Sequence, residues 1–451
     1  DGVEVPYLTK YYRNTIVGYS YSKSLSLPGE RIGYLVIPDE VDDFENVICA
    51  ANVANRILGF VNAIMYCFPY VRYVFYDQQI AAMKITNEQS GILMSAYSLA
   101  MLSAMIPGGI LADKLPVKKA MLASIFGSFV LILIYIFTMD FKIACVIWFL
   151  CGLTTNFVFW CSITKGVGMV GTDETQGTCY GIYYAASGLI SALVNAICLW
   201  ASKFGADETH AFVIAMWVMA VGTILAFLML LLFFKEKDVA SKNPDDVFQI
   251  KHIGVVLKNP TTWMFSIMVL CSYGIYTSLS YFSPYLTDVL GVPLVNSSII
   301  SIVRSNLMNL LCPLGGYIID KIFKSANKWY ITAFAIMAAI YAFVMIMPNT
   351  VSSGFATFVS LLPAAIAMML YGVIWSGLKE CKFNSAFIGT VIGIGSVLGY
   401  APDFFYFPIF GKWMDLYGND AYRMIFGFLM GSAIVGIIMA VLIRIRIKKA
   451  N

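Results

Sequence analysis

Three ionisable side chains interrupt apolar stretches of this chain: Arg72 after Phe68-Pro69-Tyr70-Val71, Arg304 after Ile302-Val303, and Asp403 after Tyr400-Ala401-Pro402. A charge inside an apolar span is costly, so such a residue is expected to face a partner, a cavity or a pathway. A guanidinium presents a planar fork that can grip a carboxylate or phosphate through two hydrogen bonds. Arg72 and Arg304 together would make an anion site. The structural uses that compete are an ion pair of Arg72 with Asp77 or a backbone carbonyl, and snorkelling or helix packing for Arg304. Asp403, isolated, could carry a coupling proton or cap a helix broken at Pro402. Tyr70, Tyr73, Tyr76, Trp160, Tyr276, Tyr281 and Trp375 are candidates to wall a cavity for an organic solute, since an aromatic ring supplies both apolar area and, in Tyr and Trp, a polar handle.

The elements that would position these groups are membrane spans. The chain is 59% hydrophobic and 12% charged, with a mean hydropathy of +0.77, whereas soluble domains carry roughly 25% charge. A net charge of +4 placed mostly in connections and the C-terminal tail excludes a nucleic-acid-binding stripe. Only His210 and His252 are present, so a catalytic metal is not expected, and the ten Cys lack paired ligand spacing and read as reduced packing residues. A span needs about 20 apolar residues. Eleven such runs begin near Gly91, Ala120, Ile143, Gly177, Ala211, Thr262, Val295, Trp329, Gly354, Ala386 and Ala421. A weaker first one covers Ile57 to Tyr76 with Asn62, Pro69 and Arg72 inside it.

Two signatures recur. Gly109-Ile-Leu-Ala-Asp113-Lys114, followed by Lys118 and Lys119, returns as Gly316-Tyr-Ile-Ile-Asp320-Lys321, followed by Lys324. The Gly is expected to let two helices approach closely, as small residues do in lipid. Trp160 to Lys165 returns as Trp375 to Glu380, at the end of the fourth span of each half. Lys165 and Glu380, equivalent in place and opposite in sign, are expected to meet as a gate. With the Gly109 and Gly316 connections inside, the Lys and Arg residues gather on one side, which puts both termini in the cytoplasm. The expected fold is an all-α membrane protein of twelve helices in two pseudo-symmetric six-helix halves, its first helix incomplete or chimeric, preceded by a short soluble fragment. The expected divisions are residues 1–63, a first half at 64–234, a cytoplasmic loop at 235–260 and a second half at 261–451.

The fragment carries its own chemistry. Ser20-Tyr-Ser-Lys23-Ser-Leu-Ser-Leu-Pro-Gly-Glu-Arg31 resembles the cofactor segment of class I/II pyridoxal phosphate aminotransferases. That resemblance implies a Schiff-base role for Lys23 and phosphate roles for Ser20 and Arg31. Such an enzyme needs several hundred residues and an upstream Asp for the pyridinium nitrogen. The segment is therefore expected to be a chimeric, non-functional remnant, with its seam near Ala63 and Ile64, and no cofactor is expected to work here.

From Ile64 to Asn451, six plus six spans, a long central loop and the paired Gly-x-x-x-Asp-Lys signature resemble the major facilitator superfamily. Pro69 to Arg72, and Trp160 to Lys165 followed by Gln176-Gly177, resemble its organophosphate and sugar-phosphate antiporter branch. Pro116 and Tyr276 depart from that branch, the latter standing where it carries a phosphate-binding Arg. The resemblance implies a monomeric inner-membrane carrier of a small organic solute, an anion, with a proton or counter-anion as coupling ion. It also implies that Asp113, Lys114, Lys118, Lys119, Asp320 and Lys321 steady the outward-facing state. The competing readings are a carrier-like solute receptor and a remnant of an aminotransferase.

Overall fold

Apolar runs bounded by side-chain caps set the helices in the computed structural model, which describes residues 17–20, 33–36, 57–112, 115–160, 162–163, 176–234, 253–348, 350–378, 380–381 and 385–449. The first half comprises α1 (residues 57–83, in two helical pieces), α2 (Asn87–Ala112), α3 (Val117–Thr138), α4 (Phe141–Leu153 continued by a π turn, Thr154–Phe159), α5 (Gln176–Ser202) and α6 (Glu208–Phe233). The second comprises α7 (Pro260–Val289), α8 (residues 294–323), α9 (Ala326–Ile346), α10 (Ser353–Tyr371), α11 (residues 385–417, broken at Tyr400 and Ala401) and α12 (Ala421–Lys449). Among the described residues α3, α6, α7, α9 and α10, and the continuous run Thr390–Lys448 through α11 and α12, are long and apolar enough to cross a bilayer, and α8 joins them when its two bent parts count as one span. The order of elements is consistent with twelve spans.

Local chemistry explains the boundaries. The first N–H groups of a helix have no partner inside it. Asp140 supplies one to Lys142 and Ile143 of α4, Asp207 to His210 of α6, Asn259 to Thr261 of α7, and Ser352 to Phe355 of α10. Thr86 and Gln89 form a reciprocal capping box at α2. Lys84, Met139 and Lys324 stop their helices in the left-handed region. The eleven later helices begin within four residues of the expected starts. The first span differs, because after a break it resumes and continues to Met83 instead of ending at Tyr76.

The outer faces are apolar, and charged and hydroxyl side chains such as Arg72, Arg304, Asp403 and Thr277 are buried among apolar ones. Phe126, Phe137, Trp200, Phe204 and Ile346 are exposed, as lipid-facing residues would be. The most enclosed span is α7, with 83% of its apolar window buried against 39% in α6 and α9. Within the halves, α2 packs on α4, α3 on α6, α9 on α12, and α7 on α11 and α12. Between them the most extensive contact is α2 on the second piece of α11, Pro402–Tyr417.

The recurring Gly behaves differently from expectation. A methyl at Gly316 would meet open space, whereas one at Gly315 would run into the Met369 carbonyl of α10. The close approach falls one residue earlier because Gly315 is the buried neighbour that faces α10. The residues from Asp113 to Lys114 and from Thr164 to Thr175 lie outside the described ones, as do Lys23 and Arg31. Ser20 ends a short strand, β1 (Val17–Ser20), paired antiparallel with β2 (Gly33–Val36).

Candidate functional site

Pro69 has no N–H to give the α1 ladder, and the helix Ile57–Cys67 stops just before it. Its own carbonyl accepts from Trp148 Nε1 of α4 at 3.2 Å, so the break is satisfied within the bundle. The chain then makes a tight 3-10 turn, Val71–Tyr73, that turns Arg72 toward α2, α7 and α11. Arg72 is 1% exposed. Its Nη1 donates to the Ser90 carbonyl at 3.2 Å and Nη2 to the Tyr281 hydroxyl at 3.4 Å. The guanidinium lies 4.3 Å from the Phe407 ring centre and 5.0 Å from that of Tyr76, close enough for cation–π attraction. Its Nε has no partner. Of the competing structural partners the backbone carbonyl is met, at Ser90, and Asp77 is not, its carboxylate accepting from Thr287 Oγ1 at 3.4 Å.

Beside this charge sits Asp403, fully buried. Its two carboxylate oxygens accept from α7, Oδ2 from Tyr273 and Oδ1 from Thr277, each at 2.6 Å. Thr277 and Tyr273 are four residues apart, so one face of α7 presents both hydroxyls. Thr277 Oγ1 is also 2.5 Å from the Tyr73 hydroxyl of α1. With Asp403 ionised, Thr277 must donate to it, and Tyr73 must donate to Thr277. A directed chain then runs from one half of the molecule to a carboxylate in the other. Asp403 does not cap its own helix, because the cap position there is Ala401 and makes no side-chain bond.

Half-buried aromatic rings extend from this layer in both halves. Trp160, just after α4, stands edge-on to Tyr66 of α1 at 6.3 Å, and Trp375, in the 3-10 turn Ile374–Leu378 after α10, lies 5.8 Å from Phe265 of α7. The recurring Trp thus packs on the opening helix of its own half in each case. Tyr276 stacks on Tyr371 at 5.0 Å with an 8° tilt, next to Tyr273. Tyr70 links Tyr66, Tyr73 and Tyr97 by ring contacts, and Tyr76 donates to Asn87 Oδ1.

Arg304 is equally buried but differently placed. Its Nη2 donates to Ser283 Oγ at 2.5 Å, its charge lies 5.9 Å from the Phe282 ring, and Nε and Nη1 have no partner. The two guanidiniums share no hydrogen-bond or ring partner among the described residues, and each has its own surroundings. The reason is the tight turn of α7, where Tyr281 faces Arg72 while Phe282 and Ser283 face α8 and α12. Glu380 accepts from Ser325 Oγ at 3.0 Å, from Asn327 Nδ2 at 2.9 Å and from the Ala326 amide, and so anchors the start of α9. Its expected partner Lys165 lies outside the described residues. Lys118 Nζ donates to the Leu231 carbonyl in the last turn of α6 at 2.8 Å. Lys119 and Lys321 are exposed. Among the described residues no three His, Cys, Asp or Glu side chains gather as a metal site.

Thr277, Tyr273, Ser90 and Phe407 are the site residues that sequence reasoning missed. The i,i+4 pair Tyr273 and Thr277 inside an apolar span was the available signal. Phe407 had none, since its ring and carbonyl matter only through the fold.

A polytopic bundle of two helical halves, meeting at a buried layer of one Arg, one Asp and several hydroxyls, defines a membrane carrier architecture. The comparisons agree: the model of the Major Facilitator Superfamily matches residues 57–402, and the chain belongs to that superfamily. The chain is 26% identical to the inner membrane protein YqcE of Escherichia coli over 392 residues, covering 85% of this chain and 92% of that one. It is 27% identical to the inner membrane protein YihN of the same organism over 406 residues, covering 87% and 95%. Among solved structures, the nucleoside transporter NupG superposes with a TM-score of 0.70 at 12% identity, covering 87% of this chain and 98% of NupG. A D-xylose-proton symporter superposes at 0.65, again with 12% identity, covering 89% and 97%. A model of class I and II aminotransferases matches residues 3–64.

Proposed function

We propose that this chain is a secondary active transporter that moves a small organic anion together with a proton, by rocking its two halves around the layer of Arg72 and Asp403. The observation that carries this reading is the hydrogen-bonded chain from Tyr73 through Thr277 to Asp403, which joins the halves beside an Arg that meets only neutral groups.

Charge balance supplies the coupling. Asp403 and Arg72 lie within electrostatic reach of each other without an ion pair. With Asp403 ionised the two charges offset one another. With a proton on Asp403 the layer keeps one positive charge in a medium where charge is costly, and an anionic solute would neutralise it. The proton also reverses a hydrogen bond: a protonated Asp403 donates to Thr277 or to Tyr273, and one phenolic hydrogen, on Tyr73 or Tyr273, becomes free to bind an acceptor on the solute. Proton and anion therefore favour each other's binding, and reciprocity follows from linkage. Arg72 would grip the solute through its free Nε, while Tyr76, Trp160, Tyr276 and Trp375 would shape the cavity. The structural likenesses named for nucleosides and for D-xylose–proton symport support a polar organic cargo carried by this fold. We assign the transport unit to residues 57–451, of which residues 57–64 are shared with the aminotransferase match.

The test is reconstitution into liposomes loaded with a pH-sensitive dye, challenged with a panel of carboxylates, phosphate esters, nucleosides and pentoses. Inward proton movement on addition of an anionic member supports the reading. Solute binding without any flux would overturn it in favour of a receptor. Proton-free uptake driven by a neutral member alone would overturn the anion assignment.

A further inference from the structure

The seam between α2 and α11 is held at one end by a bond pattern that joins the two halves. Asp415, near the end of α11, reaches across to the first turn of α2: Oδ1 accepts from the Asn87 amide at 3.0 Å and from Asn87 Nδ2 at 2.8 Å, and Oδ2 accepts from the Glu88 amide at 2.8 Å. These are two of the N–H groups that a helix start leaves unpaired. Thr86 Oγ1 takes the next one, from Gln89, at 3.2 Å. The start of α2 is thus capped by its own half at Gln89 and by the opposite half at Asn87 and Glu88. A carboxylate is suited to that place by the positive end of the helix dipole as well as by the donors.

The helices beneath are shaped to meet there. Gly411, one turn before Asp415, leaves no room for a methyl against the Asn87 backbone. Gly91, one turn after Asn87, leaves none against the Phe407 carbonyl. Ser95, a further turn on, donates to the Phe404 carbonyl at 2.5 Å. Asn87 Oδ1 in turn accepts from Tyr76, which flanks Arg72. The seam lies where α2 begins, and two further bonds between the halves, Thr287 to Asp77 and Ser301 to the Tyr73 carbonyl, lie toward the same face.

We infer that Asp415 is a gating residue, a clasp that holds the face at the start of α2 shut by capping a helix of the other half. The inference rests on the proposed rocking of the halves, which requires this seam to part once per cycle. The cap cannot survive that parting, so its bonds add to the barrier and to the closed-state population. Asn87 is the matching half of the clasp, since its amide and side chain supply two of the three bonds.

Opening is read directly as a distance between spin labels attached through an unnatural amino acid at Lys142 and Ser353, exposed positions at the same face of the first and second halves. The native cysteines stay untouched. Asp415→Ala should raise the long-distance population at least severalfold, Asp415→Asn should raise it less, and Gln89→Ala, which removes the capping bond to the Thr86 amide within the first half, should leave it unchanged. Gly411→Trp, a wedge in the seam, serves as an independent means of opening. If the wedge opens the face and Asp415→Ala does not, the clasp is overturned while rocking stands. If Gln89→Ala opens it as far as Asp415→Ala, the effect belongs to helix fraying and the clasp is again overturned. If neither the wedge nor Asp415→Ala produces a second distance, the rocking reading falls and takes the clasp with it.

Discussion

Asp403 is the residue on which proton coupling turns. Asp403→Asn keeps a carbonyl acceptor and removes the titration, so uptake driven by a proton gradient should be abolished while solute exchange between equal pools persists, as counterflow of labelled solute would show. The sign of the pH effect follows from charge balance: anion binding requires the proton, so binding by wild-type protein should strengthen as pH falls, and the Asn variant should lose that dependence. Arg72 makes a different demand. Arg72→Lys keeps the charge but loses the fork and the bonds to both Ser90 and Tyr281, and a lost charge-assisted bond costs about 1.5–3 kcal/mol. Its half-saturating solute concentration should rise roughly tenfold or more, measured by uptake kinetics. Both residues were legible in the sequence as charges in apolar runs. Their partners were not, because Thr277 and Ser90 are ordinary hydroxyl residues until α7 and α2 are placed beside α1.

At the scale of elements, breaks and caps decide which side chains meet. Glu380 holds the start of α9 with four bonds, counting both the amide and the side chain of Asn327. Glu380→Ala should therefore destabilise the second half by about 1–2 kcal/mol, as the loss of a helix cap does, lowering the melting midpoint in detergent. The same experiment distinguishes two adjacent glycines. Gly315→Ala forces a methyl against the Met369 carbonyl, and overpacking of that kind costs about 1–3 kcal/mol. Gly316→Ala meets nothing and should leave the midpoint within error. Sequence reasoning chose Gly316 because it stands in register with Gly109. Which of two neighbouring glycines faces the adjacent helix depends on rotation about the α8 axis, and α8 bends and changes helix type just there.

For the whole molecule, the superfamily match and the first described helix both begin at residue 57. A variant lacking residues 1–56 should insert, fold and transport as the full chain does, and Lys23→Ala should leave uptake unchanged, both measured by proteoliposome flux. Loss of transport on either change would show that the aminotransferase-like segment takes part. The sequence by itself determined the membrane setting, the starts of the later spans and the two repeated signatures, because hydropathy and helix caps are local properties that any fold of the chain must respect. Only the tertiary structure decided that Arg304 and Arg72 have separate surroundings, that Asp403 is held by α7, and that Asp415 caps a helix of the other half. These are contacts between residues some tens to hundreds of positions apart, fixed by how broken helices rotate and pack, and no spacing along the chain encodes that rotation.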